Sequence, residues 1–331
     1  MAKKKGNTES KITKKILIEL LISVFLIILL ALGSKFGIID NIDNIDDSNN
    51  IDNIDNTSIE NIESNISNEK GKIEDLTNVE LKNEDLKIYY IDVGQADSIL
   101  IQNNEKTLLI DAGNNEDGKN IVKFIQNLGI NKINYLVGTH PHEDHIGGLD
   151  NVINSFEIEN ILMPKVQTNT KTFEDVLDSI SNKGLNITSP KKGDKFMLEE
   201  AECEIMLSEE NSKNLNNSSI VIRLVLKDQS YIFMGDTEKD NEALRSWPQT
   251  NVIKIGHHGS NTSTSADFIK QISPQIAIIM VGKDNKYGHP KDEIIERINS
   301  TNAKIYRTDE QGNILIISDG ENNKVVKYLE D

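Results

Sequence analysis

The chain has 331 residues, with 36 Lys and Arg against 53 Asp and Glu, a net charge of −17 and one cysteine. That length holds one domain of ordinary size plus appendages, or two small domains, and the lone Cys203 excludes a disulfide framework or a cysteine-rich zinc module. The acidic balance excludes a general nucleic-acid coat, whose phosphate contacts need Lys and Arg, but not a nuclease, where bound metal ions bring positive charge to the site.

Charge is spread unevenly: residues 1–33 are net +4, 34–86 net −10 and the remainder net −11. Residues 1–15 are a basic tail carrying Lys3, Lys4, Lys5, Lys11, Lys14 and Lys15. An apolar segment over 16–33 comes next, broken only by Glu19 and Ser23 near its start. It is near the lower length limit for a membrane-spanning helix and is apolar all round, unlike an amphipathic core helix. The lysines on its N-terminal side predict a single-pass anchor in the cell membrane, N-terminus in the cytoplasm and the rest outside. Small residues around Ala31-Leu32-Gly33 offer a signal-peptidase site, so secretion after cleavage is the alternative. Residues 34–85, rich in Asn, Asp and Ile, repeat at about three residues, which fits neither strand nor helix periodicity. They predict a disordered linker whose ends lie about 40 Å apart.

From residue 86 the texture becomes that of a folded body. Short apolar or β-branched runs at 86–92, 98–102 and 107–111 read as strands, 120–128 has helical spacing, and 135–139 reads as a buried strand. Strands are then expected at 219–226, 231–234, 252–255 and 276–281, and helices at 238–245, 266–272 and 292–298. A last pair of strands, 305–308 and 313–318, completes a layered α/β body over 86–331.

All six histidines fall in three places: His140, His142 and His145; the pair His257 and His258; and His289. The first cluster, His140-Pro141-His142-Glu143-Asp144-His145, directly follows an apolar run. Imidazole and carboxylate are the donors that zinc-like ions favour. Positions 140 and 142 on an extended loop can face one ion, and Asp144 with His145 on the turn beyond can face a second; a single-metal site is the alternative. Gly147 and Gly148 let the backbone turn tightly into the next helix.

His-x-His-x-Asp-His after a strand resembles the signature of metallo-β-lactamase-fold hydrolases. Residues 90–98 (YIDVGQADS), 109–113 (LIDAG), 233–236 (FMGD), 254–260 (KIGHHGS) and 287–290 (YGHP) resemble one branch of them. That branch is the extracytoplasmic hydrolase domain of the ComEC-type DNA-uptake competence protein and its stand-alone relatives. The resemblance covers about 87–331. It implies a four-layer αβ/βα sandwich with two divalent metal ions, zinc or manganese, at one edge of the paired sheets. His140 and His142 would hold the first ion, Asp144 and His145 the second, and Asp236 would bridge them. His258 would be the last ligand of the second ion, although the sequence does not order it against its neighbour His257. Asp111 would anchor the His140 loop by accepting hydrogen bonds. A third histidine normally completes the first ion in this family, yet residues 146–235 contain none; Asn216, Asn217 and Ser218 occupy the region.

The chemistry implied is hydrolysis by a metal-bound hydroxide, with Asp144 or Asp236 orienting the water and His257 or His289 as proton donor. Asp97 and Ser98 in the 94–98 turn, Asn217, Ser218 and Ser260 are candidate substrate contacts. The expected substrate is a phosphodiester, single-stranded DNA in particular. The alternatives are a surface phosphoesterase acting on choline- or lipid-linked phosphate, and a non-catalytic, metal-stabilised binding module.

Overall fold

The computed structural model describes residues 85–210 and 212–328. The basic tail 1–15, the apolar segment 16–33 and, but for Asp85, the linker 34–85 lie outside the described residues. Among the described residues no helix is long and apolar enough to cross a membrane.

The strands are β1 (Leu86–Tyr90), β2 (Ile99–Asn103), β3 (Lys106–Ile110), β4 (Lys132–Val137), β5 (Glu157–Leu162), β6 (Ile187–Thr188), β7 (Lys195–Leu198) and β8 (Ala201–Leu207). They continue with β9 (Val221–Leu226), β10 (Gln229–Phe233), β11 (Val252–Lys254), β12 (Ile276–Ile279), β13 (Lys304–Arg307), β14 (Ile314–Ser318) and β15 (Asn323–Lys327). One sheet runs in the order β15-β14-β1-β2-β3-β4-β5-β6, the other β13-β12-β11-β10-β9-β8-β7. The helices that matter for packing are α1 (Gly118–Asn127), α2 (Glu143–Ile146), α3 (Leu149–Ser155), α4 (Lys171–Asn182), α5 (Lys239–Ala243), α6 (Ala266–Ile272) and α7 (Asp292–Asn299).

The period-two alternation of each strand sorts its side chains between layers. On β1, Ile88 and Tyr90 enter the core shared by the two sheets, together with Tyr231 and Phe233 of β10. Tyr89 points the other way, into a core with Phe124 and Ile125 of α1 and Val152 of α3; its ring packs edge-on against Phe124 at 5.8 Å between centroids. Ile232 of β10 likewise leaves the shared core for one built with Phe268 and Ile272 of α6 and Ile294 of α7. Three cores between four layers result, so strands buried on both faces read as continuous apolar runs. Ser265 caps α6, its hydroxyl accepting from Phe268 N at 3.4 Å, and Thr170 caps α4 in the same way.

Several elements were not expected. β5, α4 and β6 to β8 occupy 157–207, and β15 follows β14 at the sheet edge. β5 carries two glutamates and an asparagine among its six residues, and β15 is half exposed, so neither shows the apolar density of a central strand. The helix expected over 238–245 is shorter, Lys239–Ala243.

The two glycines after the histidine cluster serve a different purpose from the tight turn foreseen. Gly147 is helical, with φ −55° and ψ −45°, a conformation open to any residue. What excludes a side chain is proximity: a Cβ on Gly147 would lie 2.3 Å from the backbone of Asn114 and Asn115. This contact seats the histidine loop on the loop after β3. Gly147→Ala is expected to destabilise the fold by about 1–3 kcal/mol through overpacking, read as a lower denaturant midpoint in urea unfolding. An unchanged midpoint would show that the loops are not locked together here.

Candidate metal centre

Strands β3 and β4 are parallel, as are β10, β11 and β12. The carboxyl ends of parallel strands gather at one edge, the usual place for a site in such sheets. Asp111 follows β3, the 140–145 loop follows β4, Asp236 follows β10, and His257-His258 follows β11. The loop after β12 brings in His289.

Hydrogen bonds aim the imidazoles of His145 and His258. His145 Nδ1 donates to Asp111 Oδ2 at 2.7 Å, which turns its Nε2 toward Asp236 Oδ1 at 3.2 Å. Asp111 also accepts from the Thr139 amide and hydroxyl, each at 2.7 Å, so one buried carboxylate holds both ends of the histidine loop. His258 Nδ1 donates to the Met280 carbonyl at 3.0 Å. Its Nε2 then lies 3.4 Å from Asp144 Oδ2 and 3.8 Å from Asp236 Oδ1. His140 Nε2 is 3.0 Å from His142 Nδ1 and 3.8 Å from Asp236 Oδ2.

Of three groups of convergent donors among the described residues, two meet at the cleft floor, Asp144, His145, Asp236 and His258, and His140, His142 and Asp236; the third, Asp97, Asp111 and His145, lies buried beneath, with His145 Nδ1 already bonded to Asp111. Asp236 belongs to both sets at the floor. Buried polar atoms without a partner are rare in proteins, yet His145 Nε2, Asp236 Oδ1 and His258 Nε2 are all buried and unpartnered among the described residues, and all belong to one set. Convergent imidazole nitrogen and carboxylate oxygen atoms fit divalent cations of the zinc or manganese kind.

Backbone strain separates the two adjacent histidines. His257 (φ 49°) and His258 (φ 52°) are both left-handed, a conformation costing a non-glycine residue about 1–3 kcal/mol. The turn sends His258 inward to the donor set, 1 % exposed. His257 stays at the cleft wall, its Nδ1 3.0 Å from Thr262 Oγ1 and its Nε2 3.6 Å from Asp236 Oδ2.

The cleft above Asp236 has a volume of about 330 Å3 and is lined by His142, Asp144, His257, His258 and His289. None of the five candidate substrate contacts lines it. Asp97 and Ser98 are buried, 1 % and 0 % exposed. Asp97 forms an ion pair with the fully buried Lys254 and sits 3.3 Å from His258 Nδ1, a support beneath the donors. Ser218 is buried with its hydroxyl donating to the Leu215 carbonyl. Asn217 Oδ1 accepts from the Glu238 amide at 3.0 Å, and Ser260 Oγ accepts from the Thr262 amide at 3.3 Å. These side chains hold loops rather than face the opening. Gln95, Asn216 and Tyr287 do line the cleft and were not foreseen as contacts. Lys254 was missed too, although a lysine inside the apolar run of β11 is a signal in itself, since lysines are almost never fully buried unless paired.

Burial holds the His140 imidazole well below its usual pKa, with the neighbouring His145 adding to the effect. Burial also opposes charge on His145, but Asp236, Asp111 and Asp144 outweigh it and raise that pKa well above the usual value. His258 is lifted in the same way, against burial, by Asp236 and Asp97 to about 9. Burial opposes ionisation of Asp236, but His145 and His258 hold its pKa well below the carboxylate range. Burial, with His257 and His258, lowers His289 to about 4.

Protons on His145 and His258 thus occupy the cage when no cation does, and a cation must displace them. Zinc affinity is therefore expected to strengthen as pH rises from 6 toward 9, with proton release measured by calorimetry in buffers of different ionisation enthalpy. The cation-free fold behaves oppositely. The raised His258 pKa stabilises it fully below about 6.5, the unfolded value, and that contribution is lost as pH climbs through about 9. Affinity independent of pH would contradict this protonation scheme.

Comparison with known proteins agrees with this geometry. Residues 91–283 match the metallo-beta-lactamase superfamily. Over 247 residues the chain is 29% identical to "ComE operon protein 3" of Bacillus subtilis, covering 68% of this chain and 32% of that protein. It is 28% identical over 237 residues to "Competence protein ComA" of Neisseria gonorrhoeae, covering 67% and 30%. The chain thus spans about a third of the length of these relatives. Among solved structures, the metallo-beta-lactamase fold protein YhfI from Bacillus subtilis superposes with a TM-score of 0.50 at 8% identity, over 70% of this chain and 100% of that one; this likeness is one of fold alone. With that match spanning more than half of the sequence, the chain belongs to the metallo-beta-lactamase superfamily and is a relative of competence-type proteins.

Proposed function

We propose that the protein is a membrane-tethered, extracytoplasmic hydrolase that uses two divalent cations to cleave phosphodiesters, single-stranded DNA among them. The observation that carries this reading is Asp236, whose two oxygens face separate donor sets at the floor of an open cleft. The kinship with competence-type proteins supports a nucleic-acid substrate. The lysine-flanked apolar segment 16–33 supports the tether.

When bound, the cations would acidify a water and neutralise charge developing on the substrate. The chain's own residues supply position and proton handling. Asp144, partly exposed beside the cleft, and Asp236 beneath it are acceptors that orient the water. His257, at the wall 3.6 Å from Asp236 Oδ2, is placed to pass a proton to the departing oxygen. Burial lowers the pKa of both His257 and His289, the latter to about 4, and His289 lines the same cleft as a further donor to the leaving oxygen.

One observation favours a second reading, an esterase for choline-linked phosphate. A groove of about 830 Å3 adjoins the cleft, and its walls carry Asp92, Glu116, Asp117 and Glu143 against Lys283 and Lys286. Such a wall repels further phosphates and suits a cationic group.

The full chain with added zinc or manganese is expected to release nucleotides from single-stranded DNA, and chelator to stop it. His142→Ala and Asp236→Ala are expected to lower the rate at least about a hundredfold with circular dichroism unchanged. Turnover of a p-nitrophenyl phosphocholine ester with none of DNA would favour the second reading. Full activity in either variant would refute hydrolysis at this centre.

A further inference from the structure

The two donor sets are unequal. One offers four groups and the other three, His140, His142 and Asp236. Zinc-like ions are held by four donors, or by three with one position left open. A further polar side chain lines the cleft together with two members of the smaller set.

Asn216 opens the short 3-10 turn Asn216–Ser218 that leads into β9, and it lines the cleft together with His142 and Asp236. Its Nδ2 donates to Glu238 Oε1 at 3.2 Å, while Glu238 Oε2 accepts from Asn214 Nδ2 at 2.7 Å. An ionised carboxylate only accepts, so this contact fixes which way the amide faces. Asn216 Oδ1 is left pointing away from Glu238. That oxygen is buried and has no hydrogen-bond partner among the described residues. Its neighbours are committed elsewhere, Asn217 to the Glu238 amide and Ser218 to the Leu215 carbonyl.

We infer that the side-chain carbonyl of Asn216 completes the donor set of His140, His142 and Asp236 as its fourth ligand, oriented by Glu238. The inference rests on the two-cation reading of the centre. An amide oxygen is a neutral, hard donor of the kind that manganese and magnesium accept readily. It binds zinc less strongly than an imidazole would, so the two cations are held with different affinities, the weaker beside Asn216. Glu238 is then a positioning residue for this amide, and its Oε1 also lies 3.8 Å from His257 Nδ1.

The test is zinc binding to the full chain, followed by competition with a chromogenic chelator and independent of any substrate. The wild-type chain is expected to bind two ions of unequal affinity. Asn216→Ala is expected to weaken the looser ion by about 10–100-fold, the range for groups that support a metal, and to leave the tighter ion unchanged. The double variant Asn216→Asp with Glu238→Gln exchanges donor and acceptor across that contact and keeps the bond from Asn214. Its added carboxylate is expected to tighten the looser ion, so the double variant carries the test even if Asn216→Ala fails to fold. Two ions bound at wild-type affinities by Asn216→Ala, or an unchanged looser ion in the double variant, would overturn the inference while leaving the two-cation reading intact. A wild-type chain that binds a single ion would overturn both.

Discussion

Asp236 is 1 % exposed and stands among four imidazoles. His145 and His258 approach one of its oxygens at 3.2 and 3.8 Å; His140 and His257 approach the other at 3.8 and 3.6 Å. A buried carboxylate is costly unless it is paired, and here its partners arrive from two separate loops, those after β4 and β11. Much of the remaining architecture holds those loops in register: Asp111 ties the histidine loop to β3, and Asp97 with Lys254 ties the 94–98 turn to β11. Gly147 lets the histidine loop lie directly on the backbone of Asn114 and Asn115.

Such a site costs stability. Two consecutive left-handed histidines, three unpartnered polar atoms in one cage and a fully buried lysine are all features that a folding-optimised chain avoids. They are tolerated because three apolar cores on either side of and between the sheets are dense with Ile, Leu and Val. Polar strain is confined to one edge, at the ends of strands whose other residues are fully committed to packing.

That division explains what could be read from the sequence. The histidine cluster stood out because all six histidines fall in three places, whereas Asp236, one of 53 acidic residues, was singled out by the family resemblance and by its position between the histidine motifs. The central strands were legible because burial on both faces makes them apolar throughout. β5 and β15 were not, since an edge position or a half-exposed face removes that signal. The order of His257 and His258 rests on two φ angles, which adjacent identical residues do not disclose. Asp97 looked like a turn residue open to substrate; only the arrival of Lys254 from β11, 157 positions later in the chain, buries it. Asn216 stood beside two equally polar neighbours, and only the hydrogen bonds of Asn217 and Ser218 single it out.

The central claim is that one carboxylate is shared by two cations. Anomalous diffraction from crystals of the zinc-loaded protein, recorded above and below the zinc absorption edge, tests it most directly. Two peaks flanking Asp236 are predicted, one among Asp144, His145 and His258 and the other beside His140 and His142. A single peak, or peaks that leave Asp236 without contact to either, would contradict the account.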